Sequence, residues 1–280
     1  MSPSEPSLHT RVASLDPAGT DYHRAFEVFL AFTDQKVVAA EYLSDVVSQL
    51  SNRRVFIDAG AGRGETTRWI AARFEHTIAV EPSTHMHGPL RRACPSVQLV
   101  GTTINSANIT DHADLVLCAH VLYYLPTAQW VATARRMLGW VAGGGELILV
   151  LQNPESDCMR MVNAFTGFRY DLSVVAYQIA GDAAFPDMQT VLDTIPATIH
   201  TEREADAVTI AEFMLNLAPM NSLDELPYRS DLHNHVRDEF TDPSGGFTFT
   251  CTQDFLRLRL ATPLSRSGQH TVGPAQSGRR

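Results

Sequence analysis

Long apolar runs and paired cysteines are both missing from this sequence of 280 residues. No apolar stretch approaches the ~18 residues that a membrane-spanning helix needs, so we expect no membrane contact. The four cysteines have no paired spacing, which argues against both a metal site and a disulfide framework. We therefore expect a reduced, cytoplasmic protein without a resident metal ion.

Clustered positive charge is missing as well. The net charge is -9, only Lys36 of the 22 basic residues is a lysine, and no basic cluster precedes the terminal "GRR". A surface that binds phosphate backbones needs such clusters, so we expect no nucleic-acid partner. An acidic protein of this kind is compatible with a cationic small-molecule substrate, although ordinary solubility explains the charge equally well.

What is present is a regular alternation of short apolar runs and helical patterns. Residues 1–19 and 263–280 are rich in Ser, Pro and Gly and are expected to be disordered tails, which leaves a domain over 20–262. Five runs of the kind found in strands buried on both faces lie at 55–59, 76–81, 97–101, 114–120 and 145–151. The helical patterns between them are the crossovers of a doubly wound, mostly parallel α/β sheet.

The second half of the chain predicts further elements around this sheet. Strands are expected at 197–202 and 247–260, and they would complete a seven-stranded sheet with an antiparallel edge. Helices are expected at 187–195, 209–217 and 223–240. Residues 152–245 are expected to cover the site as a helical lid.

The most informative motif is "VFIDAGAGRGETTRWIA", in which a strand turns into a helix through Gly60, Gly62 and Gly64, two residues after Asp58. Glycines let a ligand approach the backbone closely, and helix-start N–H groups favour negative ligand atoms. The spacing is G-x-G-x-G, with Glu65 where a dinucleotide fingerprint has its third glycine. A carboxylate at the strand end suits a ligand that carries an ammonium group.

This loop resembles that of class I S-adenosylmethionine-dependent methyltransferases, which have a Rossmann-like fold. The resemblance implies S-adenosylmethionine as cofactor, with its methionine portion in the loop. Glu81, at the end of the second strand, lies where an acid binds ribose hydroxyls. Thr102, Thr103 and Ser106 follow the third strand, near where the resemblance places adenine.

The fourth apolar run ends in "AHVLYYLP", with His120, Tyr123 and Tyr124 before the proline. In open α/β sheets, ligands bind beyond the carboxyl ends of the strands at the point where strand order reverses. We therefore expect these three side chains to face the gap between cofactor and substrate.

A closer resemblance rests on several motifs in order along residues 21–260. They are the helix beginning "DYHRAFEVFLAFTDQ", "EPS" after the second strand, "LYY" after the fourth, "EFMLNLAPMNS", and "FTFTCTQDF" near the end. Together they resemble the histamine N-methyltransferase family. The resemblance implies a small-molecule amine N-methyltransferase.

The family's roles then carry over to residues of this sequence. Tyr22, Phe26, Tyr123 and Tyr124 would line the amine pocket, where aromatic faces stabilise a cation by ~0.5–2 kcal/mol. Asp34 lies one residue away from the position at which the family has a glutamate that holds the substrate.

Two positions depart from the family. His120 replaces a glutamine and Cys251 replaces an asparagine, and both replaced amides would hydrogen-bond an imidazole. Another amine is therefore at least as compatible with this site as histamine.

The catalytic candidates are thus His120, Asp34 and Tyr123. An amine needs no strong base, so His120 would take the proton before or after transfer and Asp34 would orient the amine. A phenol would make His120 essential as a base. O- or C-methylation, or cofactor binding without catalysis, remain the alternatives on the same fold.

Overall fold

The computed structural model describes residues 10–17, 19–185 and 187–260. Its α-helices are α1 (Thr20–Phe32), α2 (Gln35–Gln49), α3 (Glu65–Ala71), α4 (Thr84–Ala93), α5 (Trp130–Leu138), α6 (Asp157–Thr166), α7 (Leu172–Ala180), α8 (Glu204–Leu215) and α9 (Arg229–Phe240). Its strands are β1 (Val55–Ala59), β2 (His76–Val80), β3 (Gln98–Val100), β4 (Ala113–Ala119), β5 (Val141–Gln152), β6 (Gln189–Ile195), β7 (Thr198–Thr201), β8 (Phe247–Thr250) and β9 (Gln253–Arg259).

Seven strands form one sheet in the order β3-β2-β1-β4-β5-β9-β6. The first five pair in parallel, and β9 runs antiparallel to both β5 and β6. The expected doubly wound, mostly parallel seven-stranded sheet is therefore confirmed. Its antiparallel strand is second from the edge, because β6 pairs outside β9.

The sheet is buried on both faces. Phe56 of β1 packs in a cluster with α2 and α3, whereas its neighbour Ile57 packs in the larger cluster with the helices on the opposite face. Successive strand residues point to opposite faces, which explains the uninterrupted apolar runs in the sequence. Strand order reverses between β1 and β4, which pair from Phe56↔Leu115 to Asp58↔Leu117. The carboxyl ends of these two strands are therefore adjacent.

Residues 187–195, expected to be a helix, form the edge strand β6 instead. The strand pairs along its whole length with β9, from Gln189↔Arg259 to Ile195↔Gln253. A sequence with β-branched residues at four of its seven positions fits this half-exposed ladder, and the ladder outweighs the weak helical periodicity.

The expected strand at 247–260 is broken in two at Cys251. Before the break, β8 pairs with β7 in a separate two-stranded sheet, and after it β9 enters the main sheet. The Cys251 N–H donates to the Ala197 carbonyl at 2.8 Å, so the break itself is held. The expected helix at 223–240 begins only at Arg229, two residues after Pro227.

Part of the expected N-terminal tail packs on the domain. The Val12 side chain is fully buried and its N–H donates to the Pro227 carbonyl at 2.8 Å. The Arg11 guanidinium donates to the Leu226 carbonyl and lies 3.6 Å from the ring centroid of Tyr228. We call residues 10–17 the N-terminal strap.

The expected C-terminal tail, 263–280, lies outside the described residues. Of the helices in the described part of the chain, none combines the length and hydropathy that crossing a bilayer requires.

Candidate functional site

A cavity of about 650 Å³ lies at the carboxyl ends of β1 and β4. The glycine loop after β1 and the residues after β4 both line it. Helices α1 and α8, which pack against each other, cover it. Within the expected lid of 152–245, the residues that line the cavity are Gln152 and three residues on or just after α8.

Three glycines give the loop a shape that side chains would prevent. Gly60, Gly62 and Gly64 have φ values of 96°, 54° and 85°, in the left-handed range that favours glycine. A Cβ at Gly60 would lie 2.3 Å from a methyl carbon of Val121, and one at Gly64 would lie 2.7 Å from Leu90. A Cβ at Gly62 would meet no atom of the described residues within 4 Å. The absence of a side chain at Gly62 is therefore not required by packing within the protein, and it leaves space for a ligand.

Asp58, the penultimate residue of β1, is a buried carboxylate that lines the cavity. Its Oδ2 accepts a hydrogen bond from Thr67 Oγ1 at 2.6 Å. Burial raises the pKa of Asp58 to about 6, against the opposing effects of the Thr67 hydrogen bond and the Lys36 charge. An ammonium group beside Asp58 would restore its ordinary ionisation.

Glu81, just after β2, lies across the loop from Asp58. It accepts the Gly62 N–H at 2.8 Å through Oε2 and the Ser83 N–H at 2.7 Å through Oε1. Each oxygen keeps a further lone pair for a ligand hydroxyl. The loop and the carboxylate therefore hold each other in a shape suited to a diol.

The polar residues expected near adenine divide into two groups. Thr103 lines the cavity, whereas Thr102 and Ser106 do not. Ser106 instead accepts a hydrogen bond from Thr103 at 3.1 Å. The sequence reasoning missed Ile104 and Asn105, which line the cavity beside Thr103. An apolar residue following a third strand was the available signal for Ile104.

His120 follows β4 in an unusual backbone conformation. It is the one non-glycine residue in the described ranges with a positive φ, 59°. Its Nε2 lies 3.1 Å from Oε1 of Gln253. Gln253 in turn donates through Nε2 to the Gln35 carbonyl at 3.1 Å, which assigns Oε1 as its accepting atom. His120 must therefore carry its proton on Nε2, leaving the Nδ1 lone pair free.

This imidazole is a weak base. Burial, reinforced by the Lys36 charge, lowers the pKa of His120 to about 3, against the Gln253 hydrogen bond that raises it. The ring is consequently neutral near pH 7. This pKa is far below the ~6.5 of an unperturbed imidazole, on which the expectation of proton transfer to His120 rests.

Aromatic side chains form the wall beneath α1 and α8. Phe213 of α8 lies 5.3–5.5 Å, centroid to centroid, from the rings of Tyr22, Phe26 and Phe29. The hydroxyls of Tyr22 and Tyr124 are 2.5 Å apart, which joins α1 to the short 3₁₀ turn 122–124. The structure thus brings the expected Tyr22, Phe26 and Tyr124 together.

Tyr123 lines the cavity but has a structural contact. Its hydroxyl accepts the Gln152 N–H at 2.6 Å, and burial raises its pKa well above the usual value. The ring stacks near His120, with centroids 6.2 Å apart. Tyr123 therefore supports the imidazole and holds β5 to the turn after β4.

The structure does not bring Asp34 or Cys251 into the cavity. Asp34 accepts the Thr198 N–H at 2.7 Å and the Thr198 hydroxyl at 3.1 Å, which holds the α1–α2 junction to β7. The Cys251 thiol is buried and lies 3.2 Å from the Thr33 hydroxyl. The next two residues after Asp34, Gln35 and Lys36, are the ones that line the cavity.

Comparison with known families assigns this architecture. Residues 56–145, from β1 into β5, match the family model described as "Methyltransferase domain". This segment of the chain is a methyltransferase domain. Its strands β1, β2 and β4 supply the glycine loop, Glu81 and His120. No curated protein sequence matches the chain.

Solved structures share the fold of this methyltransferase. A putative methyltransferase from Bacillus halodurans matches with a TM-score of 0.54 at 14% identity, covering 87% of this chain and 100% of that one. The YcgJ protein from Bacillus subtilis gives a TM-score of 0.53 at 14% identity, covering 78% and 97%. The plantazolicin methyltransferase BpumL, solved with a pentazolic desmethylPZN analog and SAH, gives 0.50 at 11%, covering 81% and 85%.

S-adenosylmethionine is the cofactor of this methyltransferase, and the donor set of the cavity fits it. The space at Gly62, the buried Asp58 for an ammonium group and Glu81 for ribose hydroxyls all line the same cavity. Ile104 offers an apolar surface for a base. The expected cofactor and transferase activity are therefore confirmed, while the individual site residues remain predictions.

Proposed function

We propose that this methyltransferase methylates the nitrogen of a small-molecule amine. The observation that carries the proposal is the state of His120, a neutral imidazole whose Nε2–H is committed to Gln253. Bound S-adenosylmethionine supplies a methyl group already activated by its sulfonium charge. What the protein must add is orientation of the acceptor and exclusion of water.

A base with a pKa of about 3 is a poor partner for a phenol. The proton of a phenol with a pKa of ~10 would have to move to a group whose pKa is about seven units lower, which is unfavourable by roughly 10 kcal/mol. A neutral amine attacks through its own lone pair and needs no such transfer. Its N–H can donate to Nδ1 of His120, and this hydrogen bond strengthens as positive charge develops on nitrogen.

The walls of the cavity support a small acceptor with cationic character. A cavity of about 650 Å³ must hold both cofactor and acceptor, which suits small molecules. The aromatic wall of Tyr22, Phe26, Phe29 and Phe213 favours a group that becomes cationic on methylation. The resemblance to histamine N-methyltransferases belongs to this proposal, with histamine as one acceptor to be tested.

The test is release of S-adenosylhomocysteine from purified protein and S-adenosylmethionine with a panel of acceptors. The panel holds histamine, other imidazoles, guanidines, aminosugars and phenols, and product masses identify the methylated atom. We expect turnover with an amine that rises with pH as the free amine forms. Turnover confined to phenols, or binding without turnover on any acceptor, would contradict the proposal.

Two variants separate the roles of His120 and the cofactor loop. His120→Asn is expected to keep amine turnover within about tenfold, because hydrogen bonding rather than proton abstraction is lost. Gly62→Val places a side chain in the open space of the loop, at a φ of 54° that strains a β-branched residue, and is expected to abolish cofactor binding; circular dichroism checks that the variant still folds. A loss of more than a thousandfold in His120→Asn with intact acceptor binding would instead indicate that a base is required.

A further inference from the structure

Lys36, the only lysine of the sequence, lies at the start of α2 and lines the cavity. Within the described residues, its ammonium group makes no hydrogen bond and no ion pair. Lys36 is partly buried, and removing a charged group from water without giving it a partner is costly, since its lost hydration is not replaced. An unpaired ammonium in a ligand cavity therefore calls for a ligand that supplies the missing charge.

The surroundings of Lys36 place it at the glycine-loop end of the cavity. Asp58 and Glu65 are the two carboxylates that act on it electrostatically, and its own charge acts on His120. Neither carboxylate comes within ion-pair distance, and Asp58 is already bonded to Thr67. Burial has the largest effect and lowers the pKa of Lys36.

The other flexible cation on the cavity wall is differently placed. Arg63 belongs to the loop, its side chain is 42% exposed, and it pairs with Glu27 of α1 at 3.3 Å. Its charge is thus already matched at the mouth of the cavity. Lys36 is the cation that an interior anion would meet.

We propose that the Lys36 ammonium binds a carboxylate within this cavity. Two ligands of the reaction could carry that group: the cofactor, whose amino-acid end has both an ammonium and a carboxylate, or an acceptor that is itself an amino acid. The arrangement matches such a zwitterion, with Asp58 and Glu65 facing its ammonium and Lys36 its carboxylate. The inference rests on S-adenosylmethionine as cofactor and not on the acceptor proposed above.

The first experiment compares two ligands by calorimetry. S-adenosylhomocysteine carries the carboxylate, and S-adenosyl-3-thiopropylamine is the same molecule without it. Lys36→Met is expected to weaken binding of the former about 10- to 100-fold, as for a hydrogen bond between charged groups, and of the latter less than threefold. Lys36→Arg is expected to keep most of the discrimination, and Arg63→Met is the matched control for a cation on the same wall.

The second experiment follows the titration of the Lys36 side chain itself. Reductive ¹³C-methylation labels the single lysine while keeping its charge, and the Lys36→Arg spectrum separates its resonance from that of the terminal amine. A bound carboxylate favours the ammonium form, so S-adenosylhomocysteine should raise the titration midpoint of Lys36. S-adenosyl-3-thiopropylamine should leave or lower it.

The arms distinguish the two sources of the carboxylate. If S-adenosylhomocysteine changes nothing at Lys36 but α-amino acids added to its complex raise the midpoint, and their decarboxylated amines do not, the acceptor is the source. Three results would overturn the proposal. Lys36→Met could weaken the binding of both cofactor analogues equally, or the preference for the analogue with the carboxylate could depend on Arg63 and not on Lys36. The third is a titration midpoint of Lys36 that no carboxylate ligand changes. Because binding is measured without turnover, a failed amine panel leaves this result intact.

Discussion

His120 combines a strained backbone with a partly buried, neutral ring. A positive φ in a non-glycine residue costs energy, and histidine is among the residues that tolerate it best. The conformation turns the chain just after β4 and sets the ring against Gln253. His120 therefore lowers the stability of the fold, by an amount that depends on pH.

The first prediction concerns this pH dependence. The pKa of His120 is about 3 in the folded protein and ~6.5 when unfolded, so below pH 6.5 the unfolded chain takes up a proton that the folded one refuses. Stability is therefore lost as pH falls from 6.5 toward 3. When the pH falls from 7.5 to 5.0, protonation of His120 in the unfolded chain should lower the free energy of unfolding by about 2 kcal/mol. Asparagine tolerates the same φ, so the His120→Asn variant should not show this loss.

Urea unfolding of both proteins at the two pH values measures the difference directly. Asp58, whose pKa is raised, contributes with the opposite sign between pH ~4 and 6, but it is common to both proteins and cancels. If the free energy of unfolding changes equally with pH in the two proteins, the fold does not hold the His120 ring in its neutral form.

The second prediction separates two roles among the loop glycines. Gly60→Ala introduces a Cβ against Val121 at a φ of 96°, and it should destabilise the fold by several kcal/mol. Gly62→Ala meets no protein atom at a φ of 54°, and it should cost only about 1–2 kcal/mol. Its main effect should be on affinity for S-adenosylhomocysteine. Thermal unfolding and calorimetry on both variants test this, and equal stability losses would contradict it.

Among the elements, those that sequence predicted best are the buried parallel strands. β1, β2 and β4 are mostly apolar because both of their faces are covered, and each is followed by a residue of the candidate site: Gly60, Glu81 or His120. The helix predicted in place of β6 was wrong because the secondary structure of a short segment with mixed burial depends on its partner, here β9, which lies some 60 residues away in the sequence. Gln253 could not be found for the same reason, since only the sheet brings it to His120.

At the junction between α1 and α2, the residue predicted for the site and the residue that lines the cavity are adjacent in the sequence. Asp34 and Gln35 are neighbours, but the helix start turns Asp34 toward β7 and Gln35 toward the cavity. Type and spacing alone could not choose between them, because a carboxylate at a helix start serves a structural role equally well.

The third prediction follows from that structural role. Asp34→Ala removes two hydrogen bonds to Thr198 and should lower the free energy of unfolding by about 1–2 kcal/mol. Affinity for S-adenosylhomocysteine should stay within twofold. Asp45→Ala, at an exposed position of α2, is the matched control and should change stability by less than ~0.5 kcal/mol. A loss of ligand affinity specific to Asp34→Ala would return Asp34 to the site.

At the scale of the whole molecule, the sheet and the cover of the cavity are held in different ways. The strands β1 and β4 lie in the centre of the main sheet, whereas α1 is held by α8, by the Tyr22–Tyr124 contact and by the N-terminal strap. The strap reaches α8 and α9 through backbone and side-chain hydrogen bonds, including Leu15 N–H to Asn216 Oδ1 at 2.7 Å. Local opening should therefore begin at the cover and not in the sheet.

The last prediction tests this division with two valines. Val12 is fully buried in the strap, whereas Val37 of α2 is 60% exposed. Val12→Ser should cost about 2 kcal/mol and speed amide hydrogen exchange in α1 and α8 by tenfold or more, while Val37→Ser should do neither. Bound S-adenosylhomocysteine, which contacts both the loop and the cover if it fills the cavity, should restore slow exchange in α1. Acceleration of β1 and β4 to the same degree as α1 would instead mean that the strap stabilises the fold only as a whole, and that cover and sheet open together.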